Sequence, residues 1–309
     1  MKERELFLDY AKGIGILSVI FVHTTSGIIS NLFASFHMIL FFLISGYFLQ
    51  KQKEYEKSFK IIFFKKARYM LIPYICFSIL NMLDFKIAGA TSMLPTLKRI
   101  FILQGDGGTW FLTCIFFSEI LYLFILKYVK NNTIQNCLFV FLLCLSFIKT
   151  NTYPVTFTIV CMRILRATFF LSVGYKLINF IKTHPLSYTL HILLLLLTII
   201  LSIINGTHCR FVANGNGKYI LLYFINGFIG SILCFDFCKK IEKYQIKILN
   251  YFGKNTIAIL GTNYILYNCC KYLNLSEYLS CILIIIFEIF LIQILNKYFE
   301  FMFGKNKDQ

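Results

Sequence analysis

Ten apolar runs of about 20 residues follow one another through this chain, separated by short segments that hold most of its lysines and arginines. A run of that length crosses the hydrocarbon layer of a bilayer as a helix, and a backbone with no water to bond has almost no other choice there. The runs fall near residues 10–29, 32–49, 69–88, 109–129, 133–149, 155–175, 187–205, 218–237, 256–273 and 278–298. They predict an all-α integral membrane protein, a bundle of about ten transmembrane helices forming a single domain over residues 1–309 with no separate soluble domain. Hydrophobic residues make up 58% of the chain and charged residues only 15%, with a mean hydropathy of +0.71. A soluble domain carries about a quarter charged residues.

The formal charge of +17 could suggest nucleic acid, but the basic residues sit between apolar runs. Alternate connections carry most of the 31 lysines and arginines, which predicts both termini on the cytoplasmic side of the cell membrane. A removable signal peptide is not expected, because the first run is full length and a second follows directly. Eleven cysteines, with no C-x-x-C pair, mostly fall inside apolar runs and read as small buried hydrophobes; Cys209 alone lies in a polar loop. No metal site is expected.

Polar residues inside the runs argue against an inert bundle. Lys12 and His23 are eleven positions apart, which returns the helix to within roughly 20° and about 16 Å further on. His37 follows the turn and is expected at about the depth of His23. Glu119 falls nine residues into the fourth run, where a carboxylate needs a cavity or a partner. Arg163 and Arg166, about mid-span in the sixth, share one face. They are explained either by salt bridges to Glu119 or Glu288 or by a cavity that holds an anion. Trp110, the single tryptophan, follows the glycine-rich Gln104–Thr109 stretch and reads on position alone as an interfacial anchor. The cluster from Lys51 to Arg68 links the second and third spans, as a topology signal and lipid-headgroup contact or as an anion site for a phosphorylated molecule. Gly253-Lys254-Asn255-Thr256 reads as a turn and helix N-cap, and the ninth span is polar at Thr262, Asn263 and Asn268. His184, His191 and His208 read as satisfied or solvated.

These features together resemble the membrane-bound acyltransferase-3 family. The resemblance rests on Lys12 and His23, on Phe36-His37-Met38 with Phe41 to Gly46, on the basic cluster ahead of Ile72-Pro73-Tyr74, on Trp110-Phe111-Leu112 and on Gly253 to Thr256. It implies transfer of an acyl group, usually acetyl from acetyl-CoA as co-substrate with no permanently bound cofactor, to a hydroxyl of an extracytoplasmic carbohydrate of the cell envelope. The chain looks like the stand-alone form. It departs from the family in having Lys12 where Arg is common, Lys65 and Lys66 beside Arg68 where an Arg pair is frequent, and Asn263 where many members have His.

On that resemblance, His23 is the general base, and Glu119 orients a histidine or balances its charge. Lys65, Lys66 and Arg68 would hold the CoA phosphates, with the thioester arm passing Lys12 and Ser45. His37, Trp110, Arg163 and Arg166 would line the cavity, stabilise the oxyanion or meet the acceptor. Two readings of other classes compete: a transporter or flippase for an anionic glycan precursor, using the two arginines and a proton-coupled Glu119, and a sensing or scaffold module.

Overall fold

The computed structural model describes residues 5–82, 94–105, 107–147, 157–206, 211 and 219–304, and leaves out the side chains of 94–96. Twelve α-helices run through them: α1 (Leu6–Thr24), α2 (Ile28–Lys51), α3 (Phe59–Met82), α4 (Leu94–Phe101), α5 (Trp110–Tyr128), α6 (Asn132–Leu145), α7 (Phe157–Thr183), α8 (Tyr188–Asn205), α9 (Ile220–Ile241), α10 (Lys247–Lys254), α11 (Thr256–Tyr272) and α12 (Glu277–Tyr298). No strand occurs among the described residues. Seven helices, α1, α2, α5, α7, α8, α9 and α12, are long and apolar enough to cross a membrane. The protein is a multi-pass, all-α membrane protein.

Each predicted span has a helix at its place, and the boundaries shift for local reasons. α1 starts at Leu6 and ends at Thr24, five residues earlier than predicted. Thr24 and Thr25 turn their hydroxyls back onto the Ile20 and Phe21 carbonyls, Thr25 is extended, and Gly27 takes a left-handed φ of 92°. α3 starts at Phe59, so Lys60, Lys65, Lys66 and Arg68 lie on a helix rather than in a connection. Its opening turns bury Ile62 and expose Ile61 and Phe64 together with Lys60 and Lys65, and apolar run length alone does not detect a helix so interrupted by lysines. α4 and α10, eight residues each, are too short to span and were not predicted. Residues 253–254 end α10 instead of forming a turn. Both chain ends, Cys209 and His208 lie outside the described residues.

The chain divides into two compact units. The first comprises residues 1–48 and 173–256, the second 49–172 and 257–309. In the first, backbones meet through glycine. Gly253 lies against the Asp9 carbonyl and Gly13 against that of Leu249, which brings α10 onto α1; Gly174 lies against the Leu43 carbonyl, bringing α7 onto α2. A side chain at any of these positions would collide with main chain, the close approach through which membrane helices gain van der Waals contact without a hydrophobic drive. Asn226 donates to Ser202 at 2.8 Å, pinning α9 to α8. Much of the remaining α8 surface is exposed Ile and Leu, as a lipid-facing helix requires.

The second unit is built around α5. Leu49, Ile62, Tyr122, Leu123, Ile125, Phe139 and Leu171 form its core at one end. At the other, Gly108 fits against the Leu260 carbonyl and Gly261 against the Phe77 ring, bringing α11 against α3 and the turn before α5. Glu288 of α12, wholly buried, contacts the Thr262 hydroxyl of α11 at 2.8 Å.

Candidate functional site

The residues singled out by sequence are divided between the units. Lys12, His23, His37 and Ser45 belong to the first, and Lys65, Lys66, Arg68, Trp110, Glu119, Arg163 and Arg166 to the second.

In the first unit, Lys12 meets a residue that sequence reasoning passed over. Its ammonium lies 2.6 Å from the carboxylate of Asp9, which is 3% exposed, and 5.8 Å from the Phe48 ring centre. The i, i+3 spacing of Asp9 and Lys12 was the signal available. His23 is the penultimate residue of α1 and half-buried, at the end of the helix opposite Leu6. Its depth does not match that of His37. His37 is the tenth residue of α2, which puts it about 12 Å further from the turn than His23. The expectation of a shared level fails because α1 stops at Thr24 while α2 begins at Ile28.

His37 is buried, and its Nδ1 donates to the Phe33 carbonyl at 2.8 Å. In the neutral ring the proton therefore sits on Nδ1 and the lone pair on Nε2, the arrangement in which a carbonyl orients a base. Ser45 is half-buried on the same helix.

A second buried acid in this unit, Asp236 at 1% exposure, gathers His191 Nδ1 at 2.9 Å, Lys240 Nζ at 2.7 Å and the Leu186 N–H at 2.9 Å. His191 is thus satisfied by a carboxylate from another helix. His184 is held locally by Thr183 and stacks on Phe180.

In the second unit three lysines of the basic cluster turn on one buried acid. Glu54, in the 3-10 turn Glu54–Glu56 between α2 and α3, faces Lys66 at 3.2 Å and Lys57 and Lys65 at 3.5 Å. Burial alone would push its carboxyl up, but Lys66, Lys65 and Lys57 together hold it below the ordinary value. Lys66 also reaches Glu119 of α5 at 2.8 Å, so one half-buried lysine ties the turn, α3 and α5 together. Glu119, 2% exposed, has here a partner that accounts for its burial. Arg68 differs: it is half-buried, its carbonyl backs Gly304, and it has no ion pair among the described residues.

The opposite end of α5 carries Trp110. A 3-10 turn, Gly107–Thr109, leads into the helix; Gly105 and Gly107 have φ of 68° and 54°, a region that favours glycine. The Thr113 hydroxyl fastens this connection to the Leu103 carbonyl at 2.8 Å. Over the half-buried indole lies the Arg163 guanidinium, 4.7 Å from the ring centre. Arg163 is the seventh residue of α7, nearer one end than mid-span. It is 6% exposed, its Nε is enclosed, and among the described residues it makes no hydrogen bond and no ion pair. The anticipated bridge from Arg163 to Glu119 or Glu288 is therefore not formed. Arg166, 3% exposed, donates from Nη2 to the Ser146 carbonyl at 2.8 Å and from Nε to its hydroxyl at 3.3 Å, capping the end of α6. Nothing in the sequence marked Ser146 as that partner. Among the described residues no group of three His, Cys, Asp or Glu side chains is placed to hold a metal ion.

Compared with known proteins, the chain matches the family model described as an acyltransferase domain, of the acyltransferase-3 type, over residues 5–301. No curated protein and no solved structure matches it.

Proposed function

The chain belongs to the membrane-bound acyltransferase-3 family and so transfers an acyl group to a carbohydrate hydroxyl; from that premise we propose that the donor is acetyl-CoA, taken from the cytoplasm, and the acceptor an extracytoplasmic glycan of the cell envelope. The carrying observation is the distribution of polar groups along α1, with Lys12 and Asp9 near its start and His23 at its far end, inside a segment that the family match covers. With the N-terminus cytoplasmic, as the basic residues favour, His23 lies at the outer end, where a glycan hydroxyl arrives.

A neutral imidazole has a pKa near 6.5 and can accept that proton at physiological pH. The sugar oxygen then attacks the thioester carbonyl, and the C–S bond breaks as the tetrahedral intermediate collapses. The CoA sulfur takes back the proton from the imidazolium, so the histidine ends the cycle neutral. General-base assistance of this kind contributes about 10²–10⁴-fold. Arg68, with no ion pair among the described residues, and Lys65, half exposed and 3.5 Å from Glu54, are the cations best placed to meet the CoA phosphates, because Lys66 is committed to both Glu54 and Glu119. Glu119 acts by fixing Lys66 and is a positioning residue. Ser45 and His37 line α2.

The test uses membranes holding wild type or His23→Ala at matched levels. Consumption of radiolabelled acetyl-CoA and the O-acetyl content of surface glycans by mass are both measured. Acetyl added by wild type and reduced about 10²–10⁴-fold in the variant is the expected result. Equal activity in the variant removes His23 as the base. No consumption of acetyl-CoA by wild type removes the donor.

A further inference from the structure

A guanidinium stays charged at any physiological pH, so Arg163 cannot escape its burial by losing a proton. Enclosing such a charge without a carboxylate is unfavourable, and only part of that cost is offset by the ring beneath it until a partner arrives. The guanidinium carbon lies over the Trp110 ring, 4.7 Å from its centre, a cation–π contact that uses none of the N–H donors in the guanidinium's own plane. Two parallel N–H donors in that plane match the two oxygens of a carboxylate or phosphate. Arg166, one turn on, adds a second positive charge held still by Ser146. The base of the stack is closely packed, since Trp110 opens α5 directly after a glycine turn in which Gly108 lies against the Leu260 carbonyl of α11.

Place in the unit separates this group from the donor cations. Lys57 and Lys127 mark the far end of α5, and Lys66, beside Lys65 on α3, meets Glu119 midway along it. Trp110 is about 14 Å along the helix from Glu119 and about 27 Å from the far end. The cationic end is the cytoplasmic one by the positive-inside rule, so Arg163 lies toward the outer side.

We propose that Arg163, stacked on Trp110, is the receptor for an oxyanion carried by the acyl acceptor, so that the enzyme takes an acidic carbohydrate, one bearing a carboxylate or a phosphate, in preference to a neutral one. This rests on the acyltransferase reading for the word acceptor, though not for the oxyanion site itself. Arg163 then selects the substrate without touching the reacting atoms.

Because the chain has a single tryptophan, its emission reports on this stack alone. Purified full-length protein in lipid nanodiscs is titrated with sodium glucuronate, with inorganic phosphate, with glucose, and with sodium chloride at matched ionic strength. The expected result is a saturable change in Trp110 emission with glucuronate or phosphate and none with glucose or chloride; the tighter of the two oxyanions identifies the source as sugar carboxylate or phosphate. Arg163→Gln abolishes the response, and Arg163→Lys, which keeps charge but loses the fork, weakens it about tenfold or more. No saturable response to either oxyanion in wild type, or an undiminished one in Arg163→Gln, overturns the proposal. If Arg163→Gln does not give monodisperse protein, Arg163→Lys decides, and unchanged affinity there overturns it. Acetyl-CoA consumption by the same preparation separates the two readings. Consumption without an oxyanion response sinks this inference and leaves the acetyl donor standing. An oxyanion response without consumption keeps the site and removes its assignment to an acetyl acceptor.

Discussion

Two places in the second unit, one midway along α5 and one at its start, handle buried positive charge in opposite ways. At one, Lys66 lies between Glu54 and Glu119, at 3.2 and 2.8 Å, and links three elements of the fold. At the other, Arg163 lies on a tryptophan with no carboxylate among the described residues to balance it. A buried ion whose partners come from the same chain contributes to architecture, because removing one member strands the rest. A buried ion without an anion gains its full stabilisation only when something from outside supplies one. On the proposal above, Lys66 belongs to the scaffold and Arg163 to a ligand.

Changing each of them should reveal that difference. Lys66→Ala leaves Glu119 and Glu54 without their shared cation, and we expect the largest effect there, a loss of about 3–5 kcal/mol in detergent-solubilised stability. Thermal unfolding monitored by circular dichroism measures it, and a loss below about 1 kcal/mol would break the comparison at its stronger end. Glu54→Gln removes one acid from the same cluster and should cost about 1–3 kcal/mol.

The pH dependence sharpens the same point. The lysines hold the folded Glu54 carboxyl below its ordinary value of 4.5, so its contribution is complete above that pH and is lost as the pH falls through the lower folded value. The melting temperature of wild type should drop in that acidic window by more than that of Glu54→Gln, and parallel curves for the two proteins would show that the lysines do not act through this carboxylate. Smallest of all, Arg163→Gln should change stability by less than about 1 kcal/mol without ligand, since the lost stacking is offset by the lost burial of charge. A cost as large as that of Lys66→Ala would place Arg163 in the scaffold.

Much of this protein was legible before any coordinates. Apolar length is a local property: helices stand at all ten predicted places, and seven of them, all but α3, α6 and α11, are long and apolar enough to cross a membrane. The first helix, with Lys12 and His23 on nearly one face, follows from 3.6 residues per turn. Lysine-rich helical segments were the first loss: the opening turns of α3 are broken by lysines, and α10 is short, with Phe252 buried and Lys247 and Lys254 exposed, so averages over membrane length pass over them. Depth was the second. The offset between His23 and His37 depended on where α1 stopped, and that was set by hydroxyls bonding back at Thr24 and Thr25 and by a left-handed Gly27.

By itself the sequence determined that the chain spans a membrane as helices, that charged and polar residues fall inside those helices, and which family pattern its motifs follow, because each of these depends on residue type and short spacing. Only the tertiary structure decided which charges are answered. Lys66 meets Glu119, Arg166 meets Ser146 and His191 meets Asp236 through contacts between residues far apart in the chain, fixed by how close neighbouring helices come. Coulomb and hydrogen-bond energies fall off over a few ångströms, and distances on that scale are set by packing.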